Sequence, residues 1–94
     1  MLPLRLSPEG YLETIPDLAV EVRSKNETAR KIARKVKDYL KAGVKVVWVA
    51  DPQRQTVTAN RRRRRAKVFQ ESDTLTVEDI IPGFSAKVAR LFDV

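Results

Sequence analysis

The sequence predicts an α/β fold: a βαβ unit followed by antiparallel strands and a short C-terminal helix. Three stretches carry that expectation. Residues 17–23 alternate, with Leu18, Val20 and Val22 on one side and Asp17, Ala19, Glu21 and Arg23 on the other. Ala29, Ile32, Ala33, Val36, Tyr39 and Leu40 then form one apolar stripe at helical spacing. Val44 to Ala50 (VKVVWVA) is apolar on both faces, as a central strand must be. Short turns join the three, so the first two strands should run parallel with a right-handed crossover.

Each element has its own punctuation. Residues 1–15 carry Pro3, Pro8 and Gly10 and read as an extended lead-in. Ser24 and Glu27 make an S-x-x-E capping box, with Asn26 as a competing cap, so the helix should start near residue 25. Gly43 should end it in the left-handed conformation. Asp51-Pro52 opens a turn, and Gln55 to Ala59 alternates as a third strand. Ala66 to Gln70 is the fourth strand, which leaves Asn60 and the Arg61 to Arg65 run at a hairpin tip. A short edge strand is expected at Thr74 to Thr76. Pro82-Gly83 marks a turn, and Ser85 to Phe92 suits a closing helix that buries Val88, Leu91 and Phe92. Trp48 belongs to the core.

Composition narrows the chemistry. Ninety-four residues make one small domain, residues 1–94, with a modest core. Cysteine and histidine are both absent, which excludes disulfides, thiolate metal sites, imidazole bases and the usual zinc sites. Any metal must then be held by carboxylates and water, as suits magnesium, manganese or calcium. The net charge of +7 favours a polyanionic partner such as nucleic acid. No stretch is apolar enough to span a bilayer, and the N-terminus lacks a signal-peptide core, so a cytoplasmic protein with no membrane partner is expected.

The constellation to explain is a carboxylate on a strand with cations beside it. Glu21 is costly to bury unless something positive meets it. It is either one half of a strand-to-helix salt bridge or a metal-binding carboxylate at the end of a parallel strand, where open α/β sheets place their sites. Arg23 lies two residues on, about 6–7 Å along the strand. It cannot lose its proton, so it can position or stabilise charge but not act as a base. Asp17 is four residues from Glu21, roughly 13 Å, too far for both to ligate one ion. It can instead satisfy backbone groups at the strand start. Lys35 and Lys37 flank the apolar stripe on opposite sides, and periodicity does not choose between them. Arg61, Arg62, Arg63, Arg64 and Arg65 suit phosphate binding without sequence preference, or form a solvated turn. No aromatic residue is interleaved among them for stacking on bases.

PDLAVEVRS at 16–24, ARKIARKVKDYLKAGVKVVWVADPQRQTVTAN at 29–60 and DTLTVEDIIPGFSAKVARLF at 73–92 resemble the Uma family of the PD-(D/E)xK nuclease superfamily. SPEGYLETIPDLAVEV at 7–22 resembles that family's approach to its central strand. The resemblance implies a restriction-endonuclease-like core and Mg²⁺-dependent hydrolysis of phosphodiester bonds in DNA, with Mn²⁺ as a substitute ion. It maps the strand carboxylates onto Asp17 and Glu21 as catalytic and metal-binding groups. It also chooses Lys35 over Lys37 as the catalytic lysine, because Arg23 stands where an E-x-K pattern has its Lys. Arg23 and Arg61 to Arg65 are then the expected nucleic-acid contacts. Three departures stand out. The family's upstream acidic strand is lacking, its S-P-S is Ser24-Lys25-Asn26, and its turn region is Asn60 with the arginines. A shortened copy that binds nucleic acid without cutting is the alternative expectation. So is a homodimer, or a partner chain that completes the sheet at the open first strand.

Overall fold

The computed structural model describes residues 15–92. The extended lead-in expected over residues 1–14 lies outside them. Strand β1 (Leu18–Val22) leads into helix α1 (Ala29–Ala42), then β2 (Val46–Asp51), β3 (Thr56–Arg61) and β4 (Lys67–Phe69). These strands form one sheet in the order β1-β2-β3-β4. β1 and β2 are parallel, and the other pairs are antiparallel. The βαβ unit is therefore present as the pattern predicted, because β1 and β2 offer one shared face, with Ala19, Val47 and Val49, and α1 offers one apolar stripe to cover it.

The sheet separates two cores. On one face α1 packs Ile32 against Ala19, Val47, Val49 and the loop residue Val44. On the other, Val46, Trp48, Ala50 and Val57 meet Leu75, Val77 and Val88. Val47 and Val57 have no accessible surface, and burying a valine side chain is worth roughly 1.5–3 kcal/mol. Trp48 is core, as expected, with its ring centroid 6.0 Å from that of Phe84.

Several boundaries differ from the sequence reading: β2 runs Val46–Asp51 where Val44 to Ala50 was expected, and β4 is Lys67–Phe69 within the expected Ala66 to Gln70. Helix α1 starts at Ala29, not near residue 25. Thr28 is the cap: its backbone is extended and its hydroxyl accepts from the Lys31 N–H at 3.1 Å. Ser24 instead closes a turn, its carbonyl accepting from the Glu27 N–H at 3.2 Å. Only the carboxylate half of the capping box forms, with Glu27 accepting from the Ser24 N–H at 3.0 Å. At the other end, Gly43 terminates α1 with φ of 115° as expected.

Strand β3 runs on to Arg61. Gln55 has φ of 56° and belongs to the turn, and Asn60 pairs with Val47 while Arg61 pairs with Val46. Asn60 and Arg61 are thus ladder residues, and the tip begins at Arg62. The chain end departs most. Thr74–Leu75 (β5) is no edge of the main sheet; it pairs with Ala86–Lys87 (β6) in a sheet of its own. Helix α2 is only Val88–Leu91. The N–H groups of Val88 and Ala89 donate to the carbonyls of Asp73 and Glu71, which ties residues 86–89 to β5 where a helix from Ser85 was expected. Val88 is buried as predicted, but Leu91 is 43% exposed. No helix among the described residues is long and apolar enough to cross a membrane.

Candidate active site

Glu21 sits next to the C-terminal end of β1, opposite Val49 of the parallel neighbour. Alternation puts it on the α1 side with Ala19. β1 takes one edge of the sheet, so the Glu21 carboxylate lies where the helix face meets that edge. Its side chain is 20% exposed. It is neither out in solvent nor sealed in the core.

Three side chains converge on it. Lys35 Nζ stands 3.5 Å from Glu21 Oε2 and 2.6 Å from Glu27 Oε2. The Tyr39 hydroxyl donates to Glu21 Oε1 over 3.4 Å. Lys35 and Tyr39 are one helical turn apart on the same flank of α1. Of the two lysines that periodicity left open, Lys35 is the one beside Glu21.

The charges are unequal in their partners. The hydrogen bond from Lys35, helped by the Ser24 N–H, holds the Glu27 carboxyl at about 2, against an ordinary 4.5. Hydrogen bonding to Glu27, with the Glu21 charge nearby, pushes the Lys35 ammonium above its usual range. Lys35 is therefore a charged donor at neutral pH and not a proton acceptor. Burial, followed by the neighbouring Glu21 charge, pushes the Tyr39 phenol up, so its proton stays in place to orient Glu21. Glu27 takes the short bond, while both contacts of Glu21 are long. Glu21 thus keeps lone pairs for a further partner.

The other expected residues fall elsewhere. Asp17 is at the opposite end of β1, its carboxylate 3.8 Å from Lys45 Nζ and more than half exposed. Its carbonyl accepts from the N–H groups of Lys45 and Val46 at 3.1 and 3.0 Å, so its backbone anchors the strand start. Arg23 donates from Nε and Nη2 to the Glu27 carbonyl at 3.3 and 3.2 Å, with Nη1 3.9 Å from Asp51. Arg61 forms a two-pronged pair with Asp79 at 2.8 and 2.9 Å. Arg62 donates to the carbonyl of Leu40 near the end of α1. Arg63, Arg64 and Arg65 are exposed around the tip.

Among the described residues, no three acidic, His or Cys side chains gather as a metal cage. Glu21 still suits a hard divalent ion, since Mg²⁺ commonly takes one or two carboxylates and fills its shell with water and phosphate oxygens. Sequence reasoning missed Glu27 and Tyr39, having absorbed one into a cap and the other into the apolar stripe. The i, i+4 spacing of Lys35 and Tyr39 was the available signal for the second.

Comparison with known proteins bears on this geometry. The Uma2 family, described as "Putative restriction endonuclease", matches residues 3–89. No curated protein matches. A crystal structure described as a "putative nuclease belonging to DUF820" from Anabaena variabilis superposes with a TM-score of 0.75 at 22% identity. The match covers 96% of this chain and 53% of that one, so this chain spans about half the length of its solved relative. At that identity the likeness is one of fold.

Proposed function

The chain belongs to the Uma2 family, and from that premise we propose that it is a Mg²⁺-dependent nuclease that hydrolyses phosphodiester bonds in DNA. The supporting observation is the Glu21 carboxylate, loosely held at the end of a parallel strand with a charged lysine 3.5 Å away. Glu21 is the residue to hold Mg²⁺ or Mn²⁺. When bound, such an ion supplies a Lewis acid for the phosphate and lowers the pKa of water.

The chain's own groups do the rest. Tyr39 fixes the direction of the Glu21 carboxylate through its hydroxyl. Glu27 anchors Lys35 by the 2.6 Å bond, which preorganises the ammonium instead of leaving a long side chain to wander. Lys35 is 42% exposed, so it can donate to the negative charge that grows on the phosphate oxygens. Its raised pKa leaves proton removal from water to another group. Arg23, pinned to Glu27, keeps a cation beside the same phosphate. Asp17 serves the strand start and contributes no ligand.

A second reading is a binding module that grips nucleic acid without cutting it. The absence of a three-acid cluster among the described residues favours it.

Supercoiled plasmid incubated with Mg²⁺ or Mn²⁺, against EDTA, separates the two. Metal-dependent nicking that falls at least about 100-fold in Glu21→Gln is expected of the nuclease. Cleavage that persists in the substituted protein or in EDTA refutes the site. Salt-sensitive binding with no cleavage in either metal establishes the module.

A further inference from the structure

One hollow among the described residues does not include Glu21 in its lining. It is a groove of ≈ 730 Å³ on the far flank of α1, above β3 and β4. α1 covers β1 and β2, where the sheet offers Ala19, Val47 and Val49. Over β3 the same face carries Thr56, Thr58 and Asn60, the register partners of Asp51, Val49 and Val47. Those polar residues give the helix no apolar surface to cover. Val68 of β4, partner of Thr58, stays 53% exposed at the outer side.

Cations rim this groove. Lys37 comes from the far flank of α1, Arg54 from the β2–β3 turn and Arg64 from the β3–β4 turn, with Arg23 at one end. Asp51 is the acidic residue of the lining. Its Oδ1 accepts from the N–H groups of Gln53 and Arg54 at 3.1 and 3.3 Å, and its Oδ2 faces Arg23. Arg61 also borders the groove, with its fork spent on Asp79. No described carboxylate pairs with Lys37, Arg54 or Arg64. The field in the groove is therefore strongly positive and unneutralised.

We propose that this groove is a track for the phosphate backbone of DNA, with Lys37, Arg54 and Arg64 as its phosphate contacts. Arg54 and Arg64 stand at the two ends of the six-residue β3, about 20 Å apart by strand rise. That distance matches about six nucleotides of one DNA strand at about 3.4 Å each. Lys37 stands on the helix wall of the same groove. Thr58 lines the floor with a hydroxyl able to reach phosphate or sugar oxygens, while the amide of its neighbour Asn60 is spent on the carbonyls of Val47 and Thr58. No aromatic side chain lines the groove, so contact is to the backbone and not to stacked bases. The proposal rests on the nuclease reading only in taking DNA as the polyanion. The arginine tip, by contrast, contributes chiefly through Arg64.

The test is fluorescence anisotropy with a labelled duplex of about 20 base pairs in EDTA, from about 50 to 200 mM salt. Lys37→Gln, Arg54→Gln and Arg64→Gln combined are compared with Lys31→Gln, Lys87→Gln and Arg90→Gln combined. Both variants lose three charges, and only the first touches the groove. The groove variant should bind at least about 10-fold more weakly and lose about two to three units of salt slope, near 0.9 per phosphate contact. The control variant should weaken by less than about 3-fold, with its slope changed by less than about one. Matching thermal melts show that all three proteins are folded. Equal losses in the two variants overturn the proposal, since net charge alone then explains binding. So does DNA binding unchanged by the groove substitutions, or a wild-type groove that takes polyglutamate and not DNA, which marks an acidic polypeptide site. Readings in EDTA stand apart from cleavage, so failure of the Glu21 assignment leaves this result untouched.

Discussion

Lys35 and Lys37 are two residues apart on α1 and serve opposite flanks. Two steps along a helix turn the side chain by about 200°. Lys35 therefore reaches down beside β1, where it joins Glu21, Glu27 and Tyr39 in a cluster of one cation and two carboxylates that leaves a negative charge to spare. Lys37 reaches over β3, where Arg54 and Arg64 share a groove with no spare acid. The first flank spends its cation on carboxylates and holds a few atoms in fixed geometry. The second leaves its charges unspent, as suits a long, flexible polyanion. Residue type alone does not distinguish a positioned cation from a gripping one; the strand beneath it does.

The strongest way to break both flanks at once is through the floor they share. Val47 is fully buried on the α1 face. Val47→Asp should cost more than about 4 kcal/mol, because an uncompensated charge replaces a core methyl pair. Against a typical margin of roughly 5–15 kcal/mol, most or all of the folded population is lost, which urea titration followed by circular dichroism will show.

Next in size is the contrast between the lysines. Lys35→Gln should lower metal-dependent cleavage by about 10²–10³-fold, the usual consequence of losing one preorganised donor. Lys37→Gln should instead weaken DNA binding a few-fold and reduce the salt slope by about one. Plasmid nicking and anisotropy on the same two proteins decide it. If the two lysines give the same pair of effects, the flanks are not distinct.

A smaller effect is expected at the start of α1, which holds both flanks in place. Thr28→Ala should cost about 1 kcal/mol by removing the cap. A domain of this size should then melt about 4–8 °C lower, whereas Ser24→Ala, outside the cap, should change the melting temperature little.

The smallest effect is tied to pH. Glu27 has its folded-state pKa depressed to about 2 from 4.5. Its contribution is present above the unfolded value of 4.5 and is lost as pH falls towards about 2. The stability gap between the native protein and Glu27→Gln should accordingly be constant at neutral pH and close across that window. The gap is small in either case, because the Lys35 partner is well exposed and solvent screens the pair. Thermal melts at stepped pH will show whether the gap closes.

Much of the fold was legible without coordinates, for reasons that particular residues make plain. Alternation in Leu18 to Val22, the Ala29 to Leu40 stripe and the doubly apolar VVWVA dictate which faces must be covered, and few topologies cover them. Gly43 and Pro82-Gly83 announce their turns because backbone conformation there is a local matter. The C-terminal segment was misread for the complementary reason. Ala86 and Lys87 have a helix-compatible pattern, and only strand pairing with Leu75 and Thr74, more than ten residues away, draws that backbone into another arrangement. Thr28 was passed over because two other caps stood earlier in the same run.

By itself, then, the sequence determined the βαβ unit, the strand that carries Glu21 and the excess of positive charge, since periodicity and composition act within a few residues or over the whole chain. Periodicity left Lys35 and Lys37 open, and the family resemblance chose Lys35. Tertiary structure alone decided that Glu27 and Tyr39 join Lys35 at Glu21, and that Arg54 and Arg64 face one groove while Arg61 is spent on Asp79. Those outcomes depend on which side of α1 each strand lies. Side chains distant in sequence become neighbours only once the sheet order is set.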